Sequence, residues 1–132
     1  TSKKGLESFG LSILIVEDQD FSRKLLYDLL ARQFVYTCHI ARNTVEAIEL
    51  YATHAPDIVF LDIGLPDISG HDVLTKILAI DPTAYVVMLS ANSTRPDIMR
   101  AMQLGAKGFI GKPFSKSKLA QYIAQAPTYH TA

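Results

Sequence analysis

The sequence predicts one α/β domain in which a parallel sheet is covered by helices on both faces. Short, unbroken aliphatic segments alternate with segments whose apolar residues recur at helical spacing. Unbroken apolar runs suit strands that are buried on both faces, as in a parallel sheet. The chain has 132 residues, of which 48% are hydrophobic, and this is enough for a domain with a substantial core. The alternation predicts five strands and five helices.

Three central strands are predicted from the aliphatic runs Ile13–Val16, Ile58–Leu61 and Tyr85–Leu89. The segment Tyr36–Ala41 is more polar, and Phe109–Ile110 is very short. These features are typical of edge strands. Right-handed crossovers are expected between the parallel strands.

Five helices are predicted from apolar residues three and four positions apart. In chain order, the stripes are Phe21–Leu25–Leu26–Leu29–Leu30, Val45–Ile48–Tyr51, Val73–Leu74–Ile77–Leu78, Ile98–Ala101–Met102 and Leu119–Tyr122–Ile123–Ala126. Asn43 followed by Glu46 resembles a capping box at the start of the second helix. Ser115 is a candidate N-cap for the last helix, and Pro96 fits the first turn of the fourth.

The predicted domain covers residues 11–126, with tails or linker stubs at 1–10 and 127–132. Lys plus Arg equals Asp plus Glu at 13 each, so a nucleic-acid-binding surface is not expected. A single cysteine excludes a disulfide framework, and the four histidines lack metal-ligand spacing, which predicts scattered surface or half-buried imidazoles. No apolar run approaches a membrane span of about 20 residues, and no signal peptide is recognisable at the start, so a cytoplasmic protein is expected.

Reactive side chains gather where the predicted strands end. The first strand ends in Glu17–Asp18, the third in Asp62 and the fourth in Ser90, and the fifth is followed by Lys112. Ligands bind at this edge of doubly wound sheets. Three neighbouring carboxylates need a cation or a proton between them, and an all-oxygen set favours Mg²⁺ over zinc. Together with an amine and a hydroxyl, they predict phosphoryl transfer, in which an aspartate carboxylate can act as the nucleophile.

Each of these residues also has an ordinary structural explanation. Asp62 and Ser90 could form turns. Glu17–Asp18 could stabilise the start of the first helix, and Lys112 could be a solvated charge. Their convergence on one edge of one sheet favours a functional site.

Five segments carry a family resemblance: Ile13–Asp18, Pro56–Asp62, Leu65–Pro66 with Gly70, Ser90–Ala91 and Gly105–Phe114. In this order, they resemble the receiver domains of response regulators in two-component signalling. The resemblance covers roughly Ser12–Ala126. It implies a flavodoxin-like fold, a doubly wound five-stranded parallel sheet in the order 2-1-3-4-5 with five helices, which agrees with the predicted edge strands.

The resemblance implies a metal site that contains Mg²⁺. Asp18 is expected to bind the metal directly and Glu17 through water, and Asp62 and the Gly64 backbone carbonyl also belong to the expected metal site. Asp62 is also the expected phosphoacceptor.

The resemblance further implies a set of residues that respond to the phosphoryl group. Lys112 is expected to pair with this group, and Ser90 is expected to move towards it and hydrogen-bond to it. Phe109 is expected to turn inward as Ser90 moves, so Ser90 and Phe109 form the expected switch pair. The Lys112–Pro113 peptide is expected to be cis.

The function implied by the resemblance is a phosphorylation-dependent signalling switch rather than an enzyme that turns over an external substrate. The expected phosphoryl donor is a histidine kinase or a histidine phosphotransfer domain. The surface around the fourth helix, fifth strand and fifth helix is expected to control an output or partner. We hypothesise that it includes Ile98, Met102 and Phe109, although helical spacing favours core packing for the first two. Direct nucleic-acid binding and membrane binding are not expected, while the output and a homodimer stay open.

Three other functions share some of these features. A Mg²⁺-dependent phosphatase or phosphotransferase would usually have a second acid two residues after its nucleophile, where this chain has Gly64. A nucleotide or flavin binder would need a glycine-rich turn after the first strand, where the chain has Glu17–Asp20. A receiver-like module without phosphorylation would lack some of the reactive residues, all of which are present.

Overall fold

Strands and helices alternate along the whole described chain. The computed structural model describes residues 10–31, 35–64, 69–90, 95–112 and 115–126. Its strands are β1 (Gly10–Val16), β2 (Val35–Ala41), β3 (Ile58–Asp62), β4 (Val86–Ser90) and β5 (Gly108–Gly111). Its helices are α1 (Asp20–Ala31), α2 (Thr44–His54), α3 (Gly70–Ile80), α4 (Arg95–Leu104) and α5 (Lys116–Ala124). The predicted alternation is confirmed, and β1 includes Gly10, the last residue of the predicted tail.

Some predictions fall outside these ranges. They concern the remainder of both tails, the segments Leu65–Pro66 and Ala91, and the Lys112–Pro113 peptide. Within the described ranges, no helix is long and apolar enough to cross a membrane.

All five strands are parallel and lie in the order β2-β1-β3-β4-β5. This is the flavodoxin-like order that the resemblance implies, and β2 and β5 are the edge strands, as predicted. The register pairs Asp62 with Leu89 and Ser90 with Gly111. The last residues of β3, β4 and β5 therefore lie at one edge of the sheet.

The core consists of one hydrophobic cluster on each face of the sheet. In β1, Leu14 and Val16 pack towards α2, α3 and α4, whereas Ile13 and Ile15 pack towards α1 and α5. All four side chains are fully buried. Burial on both faces explains why these strands are unbroken aliphatic runs. Burying each such side chain stabilises the folded state by about 1.5–3 kcal/mol.

Two helical stripes differ from the prediction. Val45 is 65% exposed and Ile48 is half-buried, while α2 buries Thr44 and Ala47 together with the predicted Tyr51, so its buried face is turned towards Thr44. Met102 is 45% exposed, because α4 meets the domain through the buried Ala101, so the prediction of core packing is wrong for Met102.

The predicted helix caps are confirmed. Asn43 Oδ1 accepts a hydrogen bond from the Glu46 backbone N–H at 2.9 Å, while Glu46 Oε1 accepts from the Arg42 N–H at 2.8 Å. The second bond reaches one residue further back than in a standard capping box. Ser115 caps α5 by accepting from the Lys118 N–H.

Two of the histidine environments are more specific than predicted. His71 is only 4% exposed, and its ring lies within hydrogen-bonding distance of Ser69 and Asp97. These partners satisfy its polar nitrogens, so the prediction of a surface or half-buried imidazole is wrong for this residue. The rings of His39 and His54 stack with their centroids 3.9 Å apart.

Candidate functional site

Three carboxylates meet where β1 and β3 end. Each of Glu17, Asp18 and Asp62 places a carboxylate oxygen within 4.8 Å of the other two. β1 and β3 are adjacent in the sheet, so the loop after β1 lies beside the last residue of β3. Glu17 is 0% and Asp62 5% exposed, while Asp18 is half-buried. The predicted acidic group is therefore assembled, and most of it is shielded from water.

One lysine reaches this group from the end of β5. Lys112 Nζ lies 2.5 Å from Glu17 Oε1 and 3.7 Å from Asp62 Oδ2. The Lys112 backbone N–H donates to the Ser90 carbonyl at 2.8 Å, which fastens the residue to the end of β4. Three carboxylates with one ammonium leave an excess of two negative charges, which a divalent cation would balance.

The Glu17 carboxyl group is perturbed chiefly by its burial. The pKa of its carboxyl group is raised to about 7, first because burial removes its solvation. The Lys112 ammonium opposes this by lowering the pKa, while Asp62 raises it. Without a further cation, one lysine does not stabilise the fully ionised group at neutral pH.

Asp18 shows that the group fits a metal ion. Its Oδ1 atom is buried and has no hydrogen-bond partner among the described residues. Leaving a carboxylate oxygen buried without a partner is costly, and a cation would relieve that cost. Two oxygens on opposite sides of one Mg²⁺ are about 4.2 Å apart, so ligands within 4.8 Å of one another need only a small adjustment.

Arg23 supports the acidic loop and was not predicted from the sequence. Its guanidinium is buried, donates to the Glu17 and Asp18 carbonyls at 3.1 and 3.2 Å, and pairs with Asp20. These bonds hold the backbone that presents both acids. The sequence feature that could have identified Arg23 is its position near the start of the helix that follows Glu17–Asp18.

Two glycines surround Asp62. The Gly64 backbone N–H donates to Asp62 Oδ1 at 3.2 Å, and a Cβ atom added at Gly64 would meet nothing within 4 Å. In contrast, a Cβ atom at Gly70 would lie 2.5 Å from the Asp62 backbone oxygen. The start of α3 is therefore pressed against the backbone of the candidate phosphoacceptor, and only glycine permits this approach.

The two residues of the expected switch pair, Ser90 and Phe109, lie on the neighbouring strands β4 and β5. Ser90 is buried at the end of β4, and Phe109 is half-buried on β5 and packs against the cluster under α2, α3 and α4. The Tyr122 hydroxyl oxygen lies 3.3 Å from the Phe109 N atom and 3.4 Å from its carbonyl oxygen. This contact between α5 and β5 was not predicted, because Phe109 and Tyr122 are 13 residues apart and no sequence motif links them.

A family model for the response regulator receiver domain matches residues 13–124. The chain belongs to this family. The chemotaxis protein CheY of Thermotoga maritima is 37% identical to this receiver domain over 114 residues, covering 86% of this chain and 95% of that protein. CheY of Bacillus subtilis is 37% identical over 111 residues, covering 84% and 92%.

A solved structure agrees with this assignment. A chain in the CheX–CheY–BeF3–Mg²⁺ complex from Borrelia burgdorferi matches the receiver domain with a TM-score of 0.79 and 33% identity, covering 86% of each chain. The family places this chain in two-component signalling, as a signalling domain.

Proposed function

We propose that this receiver domain is a phosphorylation-operated switch in which Asp62 accepts the phosphoryl group. The proposal rests on the buried group that Asp62 forms with Glu17 and Asp18, with Lys112 Nζ 3.7 Å from Asp62 Oδ2. A carboxylate oxygen of Asp62 would attack phosphorus and form an acyl phosphate, while the bond from phosphorus to the donor's leaving group breaks. With acetyl phosphate as the donor, the leaving group is acetate.

Mg²⁺ is the cation that suits this all-oxygen site. Asp18 and Asp62 would bind it directly, Glu17 through water, and Gly64 through its backbone carbonyl. When bound, Mg²⁺ neutralises charge on phosphoryl oxygens. The relative from Borrelia burgdorferi was crystallised with BeF3 and Mg²⁺, which supports the same cation here.

Lys112 would change partner during the reaction. In the described state its ammonium lies closer to Glu17 than to Asp62. A cation on the acids would replace its charge at Glu17, and Lys112 could then contact an oxygen of the phosphoryl group. This contact stabilises negative charge in a buried site, where such contacts are strongest.

Ser90 and Phe109 would carry the signal outward. Phosphorylation adds about two negative charges and acceptor oxygens, and the Ser90 hydroxyl would approach one of these oxygens. Phe109 would turn inward and shift the surface formed by α4, β5 and α5. The exposed Met102, together with Met99, supports a partner-binding role for that surface. The donor would be a histidine kinase or a histidine phosphotransfer domain, and a cytoplasmic location stays a prediction.

The test is the intact mass of the protein after incubation with acetyl phosphate, with Mg²⁺ or with EDTA. We expect the wild type to gain one labile phosphoryl group only with Mg²⁺ and Asp62→Asn to gain none. Asp57→Asn is the matched control, because Asp57 precedes the same strand at its opposite end. It should be phosphorylated like the wild type. Equal phosphorylation of Asp62→Asn would contradict the assignment.

A further inference from the structure

His71 joins two segments of the fold through both of its ring nitrogens. Nε2 lies 2.9 Å from the Asp97 backbone oxygen, and Nδ1 lies 3.2 Å from Ser69 Oγ. Because a carbonyl oxygen can only accept, Nε2 is the atom that carries a proton. His71 is only 4% exposed, so water has little access to these bonds. A buried imidazole with both nitrogens engaged has a fixed orientation.

The segment on one side of His71 is tied to Asp62. The preceding residue, Gly70, donates its N–H to the Ile63 carbonyl at 2.8 Å. Gly70 also packs so closely on the Asp62 backbone that a Cβ atom would lie 2.5 Å from the Asp62 oxygen. A displacement of the Asp62 backbone would therefore move the start of α3 and His71 with it.

The segment on the other side of His71 belongs to α4. Asp97 lies in the first turn of this helix, which also carries the exposed Met99 and Met102. The contacts therefore form a continuous path from the Asp62 backbone, through Gly70 and His71, to the first turn of α4. This path does not pass through Ser90 or Phe109.

We propose that His71 is a positioning residue that couples the state of Asp62 to the position of α4. This inference rests on the proposed phosphorylation of Asp62. It adds a second route by which phosphorylation would affect the surface formed by α4, β5 and α5. Close-packed elements with directional hydrogen bonds shift between discrete arrangements rather than deforming smoothly, so a link at the helix start can bias the whole helix. Such a coupling requires that α4 have two positions whose relative populations depend both on the state of Asp62 and on the His71 contact.

The test compares amide hydrogen exchange in α4 with EDTA and with Mg²⁺ plus beryllofluoride, a phosphoryl mimic. His71→Gln places an amide nitrogen near the Nε2 position and keeps a donor for Asp97. His71→Asn reaches only to the Nδ1 position and removes that donor. We expect the wild type and His71→Gln to show the same change in exchange, and His71→Asn to show a change about fivefold smaller, the effect of one buried hydrogen bond. An undiminished response in His71→Asn, or an equally diminished one in His71→Gln, would overturn the proposal.

A second measurement needs no variant. The His71 Nε2–H proton in the wild type should give a slowly exchanging NMR signal that shifts when Mg²⁺ and beryllofluoride are added. An unshifted signal would also overturn the coupling. Intact mass after acetyl phosphate treatment is recorded on the same preparations. An unphosphorylated wild type would contradict the function of Asp62, whereas normal phosphorylation with an undiminished His71→Asn response would reject only the role of His71.

Discussion

Acidic residues lie at both ends of the parallel strands, but their hydrogen-bond partners differ. The side of the sheet where the strands begin is called the amino edge, and the side where they end is called the carboxyl edge. At the amino edge, Asp57 Oδ2 accepts from the Ser12 N–H at 2.9 Å. Asp81 accepts from the Tyr51 hydroxyl at 2.9 Å and from the Thr83 hydroxyl at 2.7 Å. The Thr83 hydroxyl, then the Thr83 backbone N–H, and the Tyr51 hydroxyl lower the pKa of Asp81. These acids therefore have donors from the protein itself.

At the carboxyl edge, the acids lack sufficient partners within the described chain. Glu17 and Asp62 share Lys112 and also accept long hydrogen bonds from the Gln19 and Gly64 backbone N–H groups, at 3.3 and 3.2 Å. Asp18 Oδ1 is buried and has no hydrogen-bond partner among the described residues. The pKa of Glu17 is raised, opposite in direction to that of Asp81. Acids with protein donors stabilise the fold at the amino edge, whereas we propose that the acids at the carboxyl edge bind a cation from solution.

The largest expected effect distinguishes the two lysines that flank β5. Lys112 follows this strand at the acidic edge, and the exposed Lys107 precedes it. Lys112→Met should lower the rate of phosphorylation by acetyl phosphate about 100-fold, because it removes a preorganised cation from a buried site. Lys107→Met should leave the rate unchanged. The phosphorylation rates are measured from the time course of intact mass. Equal rates in the two variants would contradict the claim that only the lysine at the carboxyl edge assists phosphorylation.

A smaller effect concerns the pH dependence of stability without divalent cations. The pKa of Glu17 is raised from 4.5 to about 7, so the folded state binds this proton more tightly than the unfolded state does. The free energy of unfolding should therefore fall as the pH rises through this window, by about 3 kcal/mol from this residue. Glu17→Gln removes the titration and should flatten that part of the profile. Urea unfolding in EDTA gives the comparison, and parallel profiles would contradict the raised pKa.

At the amino edge, removing a donor should affect stability alone. Tyr51→Phe deletes the hydroxyl that donates to Asp81 and should lower the free energy of unfolding by about 1 kcal/mol. Phosphorylation by acetyl phosphate should continue at the wild-type rate, because Tyr51 lies at the opposite edge. Urea unfolding and intact mass measure both properties. A large loss of phosphorylation in a folded variant would show that the edges are not independent.

The smallest effect concerns the lifetime of the phosphoryl group. A side chain at Gly64 has open space around its Cβ position and would lie beside Asp62. Gly64→Met should change the dephosphorylation rate about threefold, because it alters how water approaches the phosphoryl group. Gly64→Ala should change it less. The rate is measured as the disappearance of the phosphorylated species from the intact-mass spectrum after the donor is removed. An unchanged rate in Gly64→Met would show that position 64 does not influence dephosphorylation.

Most of the fold could be predicted because its signals are local. The run Ile13–Val16 is aliphatic since both faces of β1 are buried, and the rule that ligands bind at strand ends brings Glu17 and Asp62 together before any coordinates are known. The buried face of a helix was harder to predict. In α2, Thr44 is buried whereas the next residue, Val45, is exposed.

The supporting contacts could not be predicted, because they join residues that are distant in sequence. His71 meets Asp97 at a separation of 26 residues, and Tyr122 meets Phe109 at a separation of 13. No periodicity or motif identifies such pairs. Arg23 lies closer to the acids, but the bonds that support the acidic loop go to backbone carbonyls, which any sequence supplies.

The most direct test of the contrast is a Mg²⁺ titration of the unphosphorylated protein followed by backbone amide NMR. We expect saturable shifts at Glu17, Asp18 and Gly64, with Asp57 and Asp81 unmoved. Absence of saturable shifts at the carboxyl edge, or equal shifts at both edges, would contradict the claim that the acids at this edge await a cation.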